Sequence, residues 1–379
     1  MRVAINLLPF REEIAGAGKY AQNIVREFSR INDYDIDYFL YVSERGKKNF
    51  KFSGKNFHYI VPKFNPKFVV VRIFWEQFVF PFKLKKLDPD VIFTPSVAIP
   101  FLYNGKFYTT IHDLAYKKSK YKYSLLRRLY IKAATTIAVK KSDVIFTVSD
   151  FSKKEIVEEF NIKNKKVLVT YNGVDDIFFN EYSSEQRLIF RKKYKLPDNF
   201  ILYVGAIEPA KNIDKLLIAY SEFLKKHKVE FYLVLTSGIG WKQEYVIGLI
   251  KNLKIEASVI LLPYIQEDDL PLLYKCSKML IYLSSYEGFG IPVLEAMAAG
   301  TPVITSKSEA IREFAGGAVI TVNPENIEDI VFFIFKIIND TNFRVSRITE
   351  GRNIADKYMW SNSARIIYNQ LLFVKHSKA

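Results

Sequence analysis

Glu287 and Glu295 stand eight residues apart in the stretch 285–304, SYEGFGIPVLEAMAAGTPVI. Their neighbours include Gly, Phe, Ile and Leu, and a carboxylate left idle in apolar surroundings is costly. Carboxylates repel phosphate but accept hydrogen bonds from hydroxyls. Between the two acids, Gly288 and Gly290 flank Phe289 and let the backbone approach a ligand closely. Ile291 and Pro292 then suit the first turn of a helix, where a missing N–H costs nothing. The unpaired N–H groups of a helix start make a site for an anion such as phosphate. A ligand that fits this pattern has phosphate in its middle and polyol groups at both ends. A nucleoside diphosphate sugar has that form.

Three strand–loop–helix units can position such residues. The apolar run 279–283 reads as a buried strand before the motif, with Gly300 stopping the helix and 301–304 entering the next strand. Near the start, residues 2–7 read as a strand, followed by the turn Ala15-Gly16-Ala17-Gly18-Lys19-Tyr20 and a helix to about Arg30. From 200 to 204 a strand leads into a loop running from Gly205 to Asn212, with Lys211 placed for phosphate, and then a helix to His227. A fourth strand, 107–111, ends at His112-Asp113, where doubly wound folds bind ligands. A histidine that simply caps the strand is the other reading of His112.

Glu287 to Glu295 resembles the E-x7-E signature of the retaining glycosyltransferases of family 4, within E-G-F-G-x-P-x-L-E-A-M-A-x-G-x-P-V. The turn at Gly16 is similar to that family's G-G-x-G-R-Y, with Ala15 and Lys19 as departures, and 205–212 to its G-x-x-E-P-R-K-N, with Ala210 in place of arginine. Trp75-Glu76-Gln77 with Pro81 resembles the W-E-Q-x-x-x-P segment of some bacterial polysaccharide-type members, and Asn172 to Asp175 the turn that closes the first domain. The resemblance is dense from 199 to 324 and thin before it. It implies an α/β chain of two Rossmann-like doubly wound domains facing across a cleft (GT-B), with a C-terminal helix crossing back. It also implies that Gly16, Gly205 and Lys211 approach the donor diphosphate, that Glu287 and the 288–291 backbone hold the sugar, that Glu295 holds the ribose, and that His112 contacts the transferred sugar. His112, Glu287 and Lys211 are the catalytic candidates. Mannosyltransferase-like members point to GDP-mannose as donor, with a UDP-sugar as the alternative. The acceptor expected is a saccharide or a lipid-linked saccharide of the cell envelope.

The domains expected are 1–177 on the acceptor side, a linker at 178–198, the nucleotide-sugar domain at 199–341, and helices at 342–379 returning to the first domain. A chain of 379 residues with 49% hydrophobic residues can bury two cores. Cys276 is the only cysteine, which fits a reducing compartment, and no signal peptide is read because Arg11, Glu12 and Glu13 interrupt the apolar start. Asp35-Ile36-Asp37 and Asp88-Pro89-Asp90 precede strands rather than follow them, so neither metal nor other cofactor is expected.

Charge is concentrated in the first half: residues 1–177 hold 31 Lys and Arg against 18 Asp and Glu. Lys67, Arg72, Trp75, Lys83 and Lys85 belong to a basic, aromatic stretch that suits an acceptor or an anionic membrane surface. An amphipathic core helix with a solvated basic face explains the same residues. The location expected is cytoplasmic, peripheral on the inner face of the membrane if that stretch binds lipid. Two other functions compete. A soluble glycogen or sucrose-phosphate type synthase would share the second-domain motif. A basic nucleic-acid binder without catalysis would explain the charge but not the glycine loops, and no helix-turn-helix, zinc or RNP-like pattern is present, so nucleic acid is not expected as a partner.

Overall fold

The computed structural model describes residues 1–10, 16–31, 33–52, 54–63, 69–118, 124–236 and 243–376. Lys67 and Ala15 lie outside them. Two compact units divide the chain. One is built from residues up to Lys117, on to Gly173, and again from Trp360; the other from Val174–Met359.

The first unit holds β1 (Arg2–Asn6), β2 (Asp37–Tyr41), β3 (Phe57–Ile60), β4 (Val91–Thr94), β5 (Phe107–Thr110), β6 (Ser142–Thr147) and β7 (Val167–Val169). They form one parallel sheet in the order β3-β2-β1-β4-β5-β6-β7. Short, unbroken apolar runs make these strands because helices cover both faces of such a sheet. In β4 and β5 every residue is buried.

The second unit holds β8 (Phe200–Val204), β9 (Tyr232–Thr236), β10 (Val259–Leu262), β11 (Met279–Tyr282), β12 (Val303–Ser306) and β13 (Ile320–Val322). Their order is β10-β9-β8-β11-β12-β13, again parallel. In each sheet the winding reverses once, between β1 and β4 and between β8 and β11. Crevices at such reversal points, outside the carboxyl ends of the strands, are where open α/β sheets bind ligands.

The segment 178–198 carries a helix, Ser184–Tyr194, closed by a capping box between Ser183 and Gln186, with Phe190 buried. One expectation needs correction. Of the helices after 342, only Trp360–His376 joins the first unit. Thr341–Ala355 stays with the second, because Gly351 and Ala355 are small and buried and a Cβ on Gly351 would lie 3.4 Å from Met297 Cγ. The helix from Val69 also departs from a plain α-helix. It passes through a π turn at Trp75–Val79, where Phe80 N–H donates to Trp75 O. Pro81 follows at once, without an N–H to give to Gln77, so the regular ladder opens there. Among the described residues no helix is long and apolar enough to cross a membrane.

Candidate active site

In the second unit, the loops after β8 and β11 are stitched together. Ser285 N–H donates to Ala210 O at 2.8 Å, and Asn212 Nδ2 donates to Leu283 O at 2.7 Å. This brings Lys211 against Glu287 although 76 residues separate them. Their side chains form an ion pair and keep only 14% and 15% of their exposure. Tyr282, the last residue of β11, completes the cluster: its hydroxyl accepts from Lys211 Nζ at 2.9 Å and donates to Glu287 Oε1 at 2.6 Å. The Tyr203 ring stacks on it at 6.2 Å and 17°, and the Tyr203 hydroxyl donates to Ala206 O. Gly205 adjoins this ring pair; a Cβ there would lie 3.1 Å from the Tyr203 hydroxyl oxygen.

Burial alone would raise the Glu287 pKa, but the Lys211 charge beside it, with hydrogen bonds from Lys211, Tyr282 and Ser284, holds it below the ordinary carboxylate value. Burial likewise disfavours the Lys211 cation, and Glu287, with smaller pulls from Tyr203 and Glu208, more than compensates, so its pKa is raised. Both groups are charged at neutral pH. Tyr282 stays protonated: burial and then the Glu287 charge push its pKa well above 10. The cluster is a buried ion pair oriented by a neutral hydroxyl.

The helix Ile291–Ala299 starts beside it with no side-chain cap and Pro292 in its first turn, and it ends at Gly300 in the left-handed region. Gly290 has φ +109°. Phe289 turns away from solvent to stack on Phe314 at 4.5 Å, so it offers the ligand side only backbone. Glu295 is 3% exposed and accepts from the buried Tyr274 hydroxyl at 3.0 Å. Neither Tyr274 nor Tyr282 was picked out from the sequence. Both sit in apolar runs where an aromatic reads as core, and only a hydroxyl at the end of a buried strand could have marked Tyr282.

In the first unit, Gly16 opens the helix Ala17–Ile31 at φ +50°, with nothing within 4 Å of an added Cβ. Tyr20 in that helix is buried; its hydroxyl pairs with Thr170 Oγ1 at 2.8 Å, and its ring meets His112 edge-on at 5.0 Å. His112 follows β5. Its Nε2 lies 3.1 Å from Pro95 O, and a carbonyl can only accept, so the proton is on Nε2 and Nδ1 is the acceptor. Burial lowers its pKa, against smaller opposite pulls from the Pro95 carbonyl and Asp113. A neutral, oriented imidazole results. Asp113 caps its own turn by accepting from Ala115 N–H.

The basic stretch divides by face. Phe74, Phe78 and Phe82 are exposed, as are Lys83 and Lys85, and Arg72 is half-buried. Trp75, expected on the acceptor or membrane side, instead turns inward: its ring stacks on buried Phe80 at 5.5 Å and reaches Tyr41. Positions 74, 78 and 82 share one side of the helix, and 80 and 84 face the core, which takes Trp75 with them.

Comparison with known proteins fits this geometry. The family described as Glycosyltransferase Family 4 matches residues 14–177, and that described as Glycosyl transferases group 1 matches 185–354. O-antigen chain mannosyltransferase B of Escherichia coli is 29% identical over 254 residues, 67% of this chain and 67% of that protein. The structure of sucrose-phosphate synthase from Thermosynechococcus elongatus superposes with a TM-score of 0.79 at 17% identity, covering 100% of both chains. That of Anabaena Alr3699/HepE in complex with UDP and glucose does so at 0.76 and 16%, covering 98% of this chain and 99% of the other. At such identities these two structures show the fold and nothing narrower.

Proposed function

The chain is a family 4 glycosyltransferase of the two-domain GT-B fold, and on that premise we propose that it moves mannose, with retention, from GDP-mannose to a saccharide or lipid-linked acceptor in cell-envelope polysaccharide synthesis. The observation that carries the reading is the Lys211–Tyr282–Glu287 cluster at the β8/β11 reversal point. Mannose is taken from the relative named as an O-antigen mannosyltransferase, and the nucleotide donor from the fold shared with a UDP complex.

In this reading Lys211 and the start of Ile291–Ala299 stabilise the charge that grows on the departing diphosphate. Gly205 and Gly16 let backbone approach the same diphosphate. Glu287 and the backbone at 288–291 hold hydroxyls of the sugar. Glu295 holds the ribose, its carboxylate steadied by Tyr274. His112, neutral and fixed through Pro95, lies beside the transferred sugar with Nδ1 as an acceptor. This reading assigns no carboxylate as a nucleophile, so attack on the face the diphosphate leaves, with phosphate accepting the acceptor's proton, accounts for retention better than a double displacement. The exposed basic and aromatic face of the first unit supports seating on an anionic membrane surface, and in this reading the enzyme works as a peripheral protein on the cytoplasmic side.

The test is a thermal-shift panel of nucleotides followed by transfer assays. GDP-mannose stabilises the fold and supports transfer with retention; UDP-glucose as the sole productive donor overturns the mannose assignment. Glu295→Gln weakens donor binding by about 1–3 kcal/mol, the scale of a hydrogen bond to a charged group. Unchanged donor affinity in that variant removes Glu295 from the ribose. A lysine and a helix start supply the positive field that a divalent ion supplies elsewhere, so turnover in excess chelator stays within about twofold of the untreated rate. Collapse of activity that added magnesium restores contradicts metal independence.

A further inference from the structure

We propose that the first unit carries a slot for one hydrocarbon chain of a membrane-borne anionic lipid, between the helical run that begins at Val69 and the helix Leu125–Lys141. This rests on the reading above, in which the acceptor is lipid-linked, and names the part of that acceptor the protein holds. A cavity of about 230 Å³ lies there, walled by Ile73, Val97, Ile99, Phe101, Ala134 and Ile137. Of its lining residues only Gln77 and Tyr130 carry polar side-chain groups. The Gln77 amide is committed at both ends: Nε2 donates to Ile99 O at 3.2 Å, and Oε1 accepts from Phe101 N–H at 2.9 Å. A space so lined offers a sugar or a water little to bond, and apolar cavities of this order stay dry and take hydrocarbon. Ala98, Ala133 and Ala134 leave the room that larger side chains would fill.

The flanking surface continues the same chemistry outward. Phe74, Phe78, Leu125, Leu126 and Leu129 are 58%, 45%, 69%, 80% and 56% exposed. Phe78 bridges from Phe74, 4.9 Å away, to Phe101 on the cavity wall, 6.3 Å away. Leu126 is one turn before Tyr130, and Leu129 one turn before Ala133, so the exposed leucines adjoin the cavity-lining face of their helix. Scattered apolar residues on a surface need no explanation, but a contiguous set around an opening marks an interaction site.

Charge complementarity selects the occupant. Residues 69–87 and 125–141 together hold nine Lys and Arg and one acid, Glu76, which is buried. Lys83, Lys85, Arg127 and Lys132 are exposed, and at the cavity wall Tyr130 feels the charges of both Glu76 and Arg72. Lys141 is held by the Phe101 and Tyr103 carbonyls. Cations carried on the two helical runs that wall the apolar opening meet an anionic headgroup while the chain enters the slot. A second copy of this chain would bring the same cations against these and be repelled.

The experiment titrates the full chain, below the micellar range, with decyl phosphate, decanol and inorganic phosphate. Decyl phosphate binds more tightly than decanol, and inorganic phosphate, which meets the donor loops, does not displace decanol. Ala134→Trp, which fills the cavity, weakens both chains by roughly tenfold or more, while nucleotide-induced thermal stabilisation persists and shows the fold intact. Ala133→Phe, which narrows the slot from its exposed side, gives the same direction should the tryptophan variant fail to fold. Equal chain binding in the filled variants, displacement of decanol by inorganic phosphate, or a dimer that covers the face and excludes the alkyl probes each overturns the slot. Transfer to a water-soluble acceptor by a protein that binds no chain leaves the transferase standing and removes only the slot. Chain binding without turnover of any nucleotide sugar does the reverse.

Discussion

Lys211→Met lowers the rate of sugar transfer by about a hundred- to a thousandfold, the scale on which loss of one preorganised group that stabilises developing charge is felt. Ala210 occupies the place where the resembled motif carries arginine, so no second cation from that loop position takes over. The substitution also frees Glu287 from the charge that holds its pKa down. Burial then dominates, and the pKa moves up. If the carboxylate is the working form, activity in the variant falls away on the acid side at a higher pH than in the parent. A pH–rate profile reads this shift, and loss of a merely structural contact would not move it. The Lys211→Met variant with near-parental turnover would falsify the diphosphate assignment for this lysine.

Gly290→Ala has the second-largest effect, on both stability and donor binding. At φ +109° the backbone lies outside the regions open to residues with a Cβ, and the added atom would sit 2.8 Å from Ile311 Cγ1 in the buried wall behind it. The strain alone costs about 1–3 kcal/mol. Relief by moving the loop displaces the helix start and, with it, the neighbouring Glu287. The expected results are a lower melting temperature and weaker nucleotide binding. Gly16→Ala supplies the contrast: its φ of +50° lies in the left-handed basin and nothing stands within 4 Å, so that variant loses only about 1–2 kcal/mol. Equal melting temperatures for Gly290→Ala and the parent would remove the argument from backbone geometry.

The local units were legible in the residues. Glycines, prolines and short apolar runs dictate strand, loop and helix within a few positions, because φ preferences and missing donors act over one or two residues. Glu287, Lys211 and His112 could be named for the same reason: each stands at the end of a strand or in a glycine loop, where polar groups are not needed for packing. Glu295, buried inside the helix Ile291–Ala299, was marked only by its spacing from Glu287. The π turn was not legible. Its extra residue per turn changes which side chains face inward, and it put Trp75 against Phe80 and left Phe74, Phe78 and Phe82 outside. The exposed leucines of Leu125–Lys141 were likewise missed, since leucine in a helical pattern reads as core until its surroundings are known.

Sequence alone thus determined which elements form and which residues are candidates for the chemistry, because torsional preference and residue type are properties of short stretches. Tertiary structure decided which of those elements meet. Only the adjacency of β8 and β11, set by long-range parallel pairing and the crossing of their connections, brings Lys211 to Glu287 and slides the Tyr282 hydroxyl between them. It likewise sends Thr341–Ala355 to the second unit and Trp360–His376 to the first, a choice made by which surfaces fit closely rather than by either helix's own pattern.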